Sequence, residues 1–85
     1  LPKAVTSEVI QQENMVIIIT RDDKIYLNDR EISQDEIASN LRIIAKGKTP
    51  LLIKADSHAS LGRVVEIWDM CRSEGVSQIN IATSQ

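Results

Sequence analysis

Val16-Ile17-Ile18-Ile19 is a run of four β-branched residues, and it constrains the fold more than any other stretch of the chain. β-Branched side chains are stiff at χ1, which disfavours a helix slightly and suits a pleated surface. With Met15 before it and Thr20 after it, the run offers apolar side chains to both sides. It therefore reads as a strand inside a sheet, with both faces at least partly covered.

The rest of the chain supplies partners for that strand. Arg21-Asp22-Asp23 reads as a solvated turn with no further role, since Asp side chains bond readily to nearby amides. Lys24-Ile25-Tyr26-Leu27-Asn28 then alternates polar and apolar residues, the pattern of a strand with one wet face, and completes a hairpin. Ser33-Gln34-Asp35-Glu36 is a capping box, in which the Ser33 hydroxyl accepts from the Glu36 amide and the Glu36 carboxylate reaches back. Ile32 and Ile37 flank it as a hydrophobic staple, and Asp35 and Glu36 suit the positive end of the helix dipole. Ile37, Leu41 and Ile44 are the expected buried stripe, and Gly47 with Pro50 is the expected stop.

Leu51–Ala55 reads as a short buried strand ending at Asp56. Residues 60–74 place Leu61, Val64, Val65, Trp68 and Cys71 on one helical face. Gly75 is expected to supply a left-handed C-terminal stop, with Val76 covering the last turn. Residues 78–83 form a final alternating strand. The order β-β-α-β-α-β, with the strands flanking the second helix parallel, implies an α/β (α+β) two-layer sandwich. Its expected form is a four-stranded mixed sheet with two helices on one face.

Eighty-five residues suffice for one domain, assigned to 15–85. Residues 1–14 are polar without a clear period and read as a flexible tether, in which Val9 and Ile10 could add a short strand to an available edge. The chain opens at Leu1 rather than Met, pointing to a segment upstream. The longest apolar run, Met15 to Ile19, is far below the ~20 residues that span a bilayer, and no signal-peptide pattern is present.

Ten basic and twelve acidic residues give a net charge of −2. That balance argues against nucleic-acid binding, which needs a basic surplus to displace counterions from phosphates. A single cysteine rules out an internal disulfide. Gly47, Gly62 and Gly75 are too far apart to form a phosphate-cradling loop. His58 stands in Ala55-Asp56-Ser57-His58 at a strand end, a place where sites occur in open α/β sheets. Asp56 is equally explained as a turn former, and Ser57 or Ser60 as a helix cap. One His and one Cys on separate elements make no metal site. Cys71 and Trp68 both read as core. Neither a catalytic set nor a cofactor is expected.

What remains is backbone. The last strand turns Gln78, Asn80 and Ala82 away from the helices, while Ile79 and Ile81 hold it to the core. It carries no Lys or Pro to block pairing, so at a sheet edge it could template another chain. The candidate docking residues are Val9, Ile10, Gln78, Ile79, Asn80, Ile81, Ala82 and Thr83. A proline at Asn80 or Ala82 is expected to block pairing and spare the fold.

The segments VIIITRDDKIYLNDREIS and PLLIKADSHASLGRVVEIWDMCRSEGVSQINIAT, in that order around a helix, resemble the periplasmic domain of the ExbD/TolR family of biopolymer transport proteins. Leu1-Pro2-Lys3-Ala4 resembles the Leu-Pro element that follows that family's single transmembrane helix, making residues 1–14 a juxtamembrane tether. The resemblance implies a non-enzymatic subunit of a proton-motive-force-driven motor of the bacterial inner membrane, in the TonB system or the Tol-Pal system. It implies a homodimer beside an ExbB/TolQ-like channel subunit, coupled to a TonB/TolA-like energy transducer, with peptidoglycan contact for TolR-like members. The alternative is a STAS-like cytosolic regulatory domain, in which Ser57 after Asp56 would be phosphorylated at a helix N-terminus.

Overall fold

The computed structural model describes residues 15–84. The tether and the candidate residues Val9 and Ile10 lie outside the described residues. Strands β1 (Met15–Ile19), β2 (Ile25–Leu27) and β3 (Arg30–Glu31) are followed by helix α1 (Gln34–Lys46), strand β4 (Leu51–Asp56), helix α2 (Leu61–Ser73) and strand β5 (Ile79–Ser84). The sheet is mixed and five-stranded, in the order β3-β2-β1-β4-β5. β1 and β2 are antiparallel, while β1, β4 and β5 run parallel to one another.

The β-branched run takes the central place that its composition demands. Ile17 stands beside Ile53 and Ile19 beside Ala55, and Ile17, Ile19 and Ile53 are fully buried. On the same face, Leu51 and Ile25 join Ile37, Leu41 and Ile44 of α1 and Ile67 and Cys71 of α2 in one core.

Four strands were expected and five are present among the described residues. The extra strand comes after Asn28 and Asp29, both at positive φ (47° and 72°). Left-handed residues at both central positions make the hairpin turn whose twist matches paired strands, and Asn and Asp tolerate that conformation. The chain thus reverses and pairs Leu27 with Arg30. Asn28 also prolongs β2, because its amide donates to the Val16 carbonyl at 3.0 Å and its Oδ1 accepts from the Val16 amide at 3.0 Å.

The capping box closes as its residues predict, with Glu36 N–H to Ser33 Oγ at 3.2 Å and Ser33 N–H to Glu36 Oε1 at 2.9 Å. Both staple residues, Ile32 and Ile37, are buried. The stop of α1 lies one residue later than expected. Gly47 keeps a right-handed φ of −78°, and Lys48 takes the left-handed turn at +56°. The Lys48 amide donates to the Ala45 carbonyl and the Thr49 amide to that of Ile44, the double bond of a Schellman closure. The same closure ends α2 with glycine in the expected position, Gly75 at φ +95°, and its bonds run to Arg72 and Cys71.

A lysine at a left-handed position carries a steric cost that glycine avoids. Lys48→Gly should therefore raise the free energy of unfolding by about 1 kcal/mol, read as a higher urea midpoint at unchanged slope.

Candidate docking edge and groove

Helix α2 is apolar on two sides, and only one is buried. Ile67 and Cys71, with Val64 and Met70 partly covered, face the core. Leu61 is 76 % exposed, Val65 49 % and Trp68 37 %. The single stripe expected from 61 to 71 is therefore two stripes, and Trp68 is a surface residue rather than core. Ile67, absent from the expected stripe, is fully buried in its place. The Arg72 guanidinium lies 5.5 Å from the centre of the Trp68 ring, a cation–π contact at the foot of the exposed stripe.

Leu61, Val65 and Trp68 form one wall of a groove of about 510 Å³ whose other side is β5, through Ile81 and Thr83. The end of β4 and its loop close the groove through Ala55, Asp56, Ser57 and Ala59. Ile81, expected to hold the strand to the core, is 49 % exposed. Its register partner is Ile53, so it faces the helix side of the sheet but stands beyond the edge of the closed core.

Among the described residues β5 is an edge strand. The phase of its backbone is set by two bonds to the chain around β4. The Leu51 amide donates to the Gln78 carbonyl at 2.9 Å and the Ser57 amide to the Ser84 carbonyl at 2.8 Å. In a parallel ladder every second residue uses both its N–H and its C=O toward one neighbour. Gln78, Asn80, Ala82 and Ser84 thus bond toward β4, and Ile79, Ile81 and Thr83 point N–H and C=O outward. The outward backbone groups belong to the residues whose side chains face α2. The expectation for proline is overturned by this phase, because a ring at Asn80 or Ala82 removes a bond to β4 and attacks the fold itself.

The position of the helix wall is fixed from a distance. Ser60 caps α2, accepting from the Arg63 amide at 3.1 Å. The Ser60 amide donates to Asp23 Oδ1 at 3.0 Å, and Arg63 Nε donates to the Asp23 carbonyl at 3.3 Å. The β1–β2 turn, expected to be merely solvated, thus anchors the start of α2. Asp23 can do both because it sits at φ 64°, the left-handed third residue of a three-residue hairpin loop. Arg63 Nη1 also donates to Gln34 Oε1 at 2.9 Å and Glu66 Oε1 at 2.8 Å, tying the N-terminal turns of both helices together.

The side chains capable of chemistry have structural partners. Asp56 Oδ1 accepts from the His58 amide at 2.8 Å, closing a local turn, and that bond holds its carboxyl below the usual carboxylate range. His58 Nδ1 lies 3.3 Å from Asp56 Oδ1 and 3.3 Å from Arg21 Nη2, on the surface. Burial pushes the Cys71 thiol up to about 11, so it stays protonated at neutral pH. No group of three or more His, Cys, Asp or Glu that could hold a metal ion occurs among the described residues.

The family model for biopolymer transport protein ExbD/TolR matches residues 1–85. The chain belongs to the ExbD/TolR family. It is 37 % identical over 82 residues to the biopolymer transport protein ExbD of Aquifex aeolicus, covering 95 % of this chain and 61 % of that protein. It is 27 % identical over 86 residues to biopolymer transport protein exbD2 of Vibrio cholerae, covering 99 % of this chain and 64 % of that one. The chain thus spans less than two thirds of the length of these ExbD relatives. No helix among the described residues is long and apolar enough to cross a membrane.

Two measurements check this picture of the domain. Leu61→Ser should change stability by no more than about 0.5 kcal/mol, whereas Ile67→Ala should cost about 3 kcal/mol, compared by urea denaturation. Acid should weaken the fold. Asp22 is held low by the Thr20 hydroxyl, Asp56 by the His58 amide and Glu66 by Arg63. A carboxyl with a depressed folded-state pKa stabilises the fold above its unfolded value and loses that contribution as it protonates. The melting temperature should therefore hold down to about pH 5 and fall from about pH 4 downward.

Proposed function

We propose that this chain is the periplasmic part of an ExbD/TolR-type subunit of a proton-motive-force-driven motor in the bacterial inner membrane. In this reading it is an adaptor and not an enzyme. It stands beside an ExbB/TolQ-like channel subunit and passes the consequence of ion flow to a TonB- or TolA-like partner. The helices form one layer and the sheet the other, and the working surface is where the two layers fail to close, between α2 and β5. Extended chain docks there, be it a dimer mate, the tether through Val9 and Ile10, or a partner segment.

One observation carries the proposal. Among the described residues β5 is a six-residue edge strand with no charged residue and no proline, and an uncovered apolar wall stands beside its outward-facing backbone. Edges are ordinarily blunted by lysine, proline, short length or cover. The opposite edge, β3, is blunted in that way, with two residues that are both charged and exposed. A strand added at β5 would pair its backbone with Ile79, Ile81 and Thr83. Its side chains opposite those residues would face Leu61, Val65 and Trp68. The regulatory-module alternative built on phosphorylation of Ser57 receives no support from the family relationship, and the residue that caps α2 is Ser60 rather than Ser57.

The test is a pair of proline variants in the full-length protein. Thr83→Pro removes an outward amide and should leave the melting temperature within a few degrees while abolishing partner cross-linking and energy-dependent uptake. Ala82→Pro removes a bond to β4 and should destabilise the domain by about 3 kcal/mol. A folded Thr83→Pro protein with undiminished coupling would sink the proposal.

A further inference from the structure

Resting on the reading of the α2–β5 groove as a docking site, we infer that its occupant is an extended partner segment with a basic residue, two alternating apolar residues and an acidic residue, in that order. The segment runs antiparallel to β5, with its basic end at Asp56 and its acidic end at Arg72.

The groove is apolar along its length and carries opposite charges at its two ends. Leu61, Val65, Trp68 and Arg72 recur at helical spacing, so Arg72 prolongs the apolar stripe of α2. Its guanidinium lies over the Trp68 ring and enters no ion pair among the described residues. At the other end Asp56 joins the lining between the hydroxyl-bearing Ser57 and Thr83. Its Oδ1 accepts from the His58 amide, and its Oδ2 has no hydrogen-bond partner among the described residues. Arg21 and His58 stand outside the lining, so the groove itself presents a single carboxylate.

Length and direction follow from the elements that bound the groove. The helix from Leu61 to Arg72 is about 17 Å long, and six steps of extended chain cover about 20 Å. Side chains on one face recur every second residue, which places the basic residue first, the apolar ones third and fifth, and the acidic one seventh. β4 and β5 run parallel, so α2 runs back between them. Asp56 stands opposite Ser84 at the end of β5, and Arg72 therefore lies toward its start. Antiparallel pairing is the more stable ladder, and it brings the N-terminal, basic end of the segment to Asp56. Charge also separates a foreign segment from this chain's own strands. Residues 75–84 carry no charge, so a second β5 would leave both ends unmet. Val9 and Ile10 stand between Glu8 and Glu13, and either carboxylate would meet Asp56 as a like charge.

Capped synthetic heptapeptides titrated into this chain test the inference, because its single tryptophan, Trp68, lines the groove. Lys-Thr-Val-Thr-Val-Thr-Glu should shift Trp68 emission to the blue and bind with a Kd below about 1 mM. The reversed sequence, and a neutral one with Gln at both ends, should each bind about fivefold more weakly. Asp56→Asn keeps an acceptor for the His58 amide and removes the charge. Exchanging the peptide Lys for Gln should therefore cost about fivefold on the wild-type chain and nothing on Asp56→Asn. Exchanging the peptide Glu for Gln should likewise lose its effect on Arg72→Gln. High salt should shrink all these differences.

Equal binding of the neutral or the reversed peptide overturns the charged segment as occupant and leaves the docking reading standing. A blue shift of Trp68 in the chain alone that grows with its own concentration gives the groove to a second copy. A red shift on combining Val9→Ser with Ile10→Ser gives it to the tether, and either result also overturns the inference. So does the absence of any peptide binding at millimolar concentration. If Thr83→Pro then still abolishes coupling in the full-length protein, the docking reading survives alone; if coupling is intact, both fall together.

Discussion

The parallel pairing of β1 with β4 is the contact on which the rest of the structure depends. It sets Ile17 beside Ile53 and Ile19 beside Ala55, and both helices close over that face. β1 has β2 on its other side, and the second neighbour of β4 among the described residues is β5, from the chain beyond α2. The sheet therefore grows outward from a centre of β-branched residues. Its last strand has only one partner among the described residues and only part of a helix above it.

Much of this was legible from the sequence because the signals were local. The Ser33–Glu36 box, the α1 stripe and the Gly75 closure each need only a few neighbouring residues to be recognised, and each stands where the pattern put it. The failures share a cause as well. Gly47 and Lys48 compete for one left-handed position, and it is the lysine that holds it. Asn28-Asp29 is a turn whose left-handed tolerance was there to be read, yet the two-residue strand beyond it is too short and too charged to show any alternation.

Helix α2 departs from its sequence pattern for a different reason. Leu61, Val65 and Trp68 satisfy helical spacing as well as Val64, Ile67 and Cys71 do, and spacing alone does not say which stripe finds a partner. That choice is made by where β4 and β5 lie beneath the helix, which is tertiary information. The phase of β5 was likewise beyond the sequence. Alternation distinguishes the two faces of a strand but not which residues bond to which neighbour, so the outward set emerged only from the bonds of Leu51 and Ser57. Family membership, by contrast, was carried by the order and spacing of motifs along nearly the whole chain, and it survived these local errors.

The tie between Asp23 and the start of α2 has a mechanical consequence. The turn joining β1 to β2 holds the Ser60 amide and Arg63, so the wall beside β5 is braced by a loop that contributes nothing to the groove. Ser60 immediately precedes Leu61, so one lip of the groove is positioned by a bond whose partners lie 37 residues apart along the chain, and the outline of the open edge is set by the hairpin as much as by the strand that borders it.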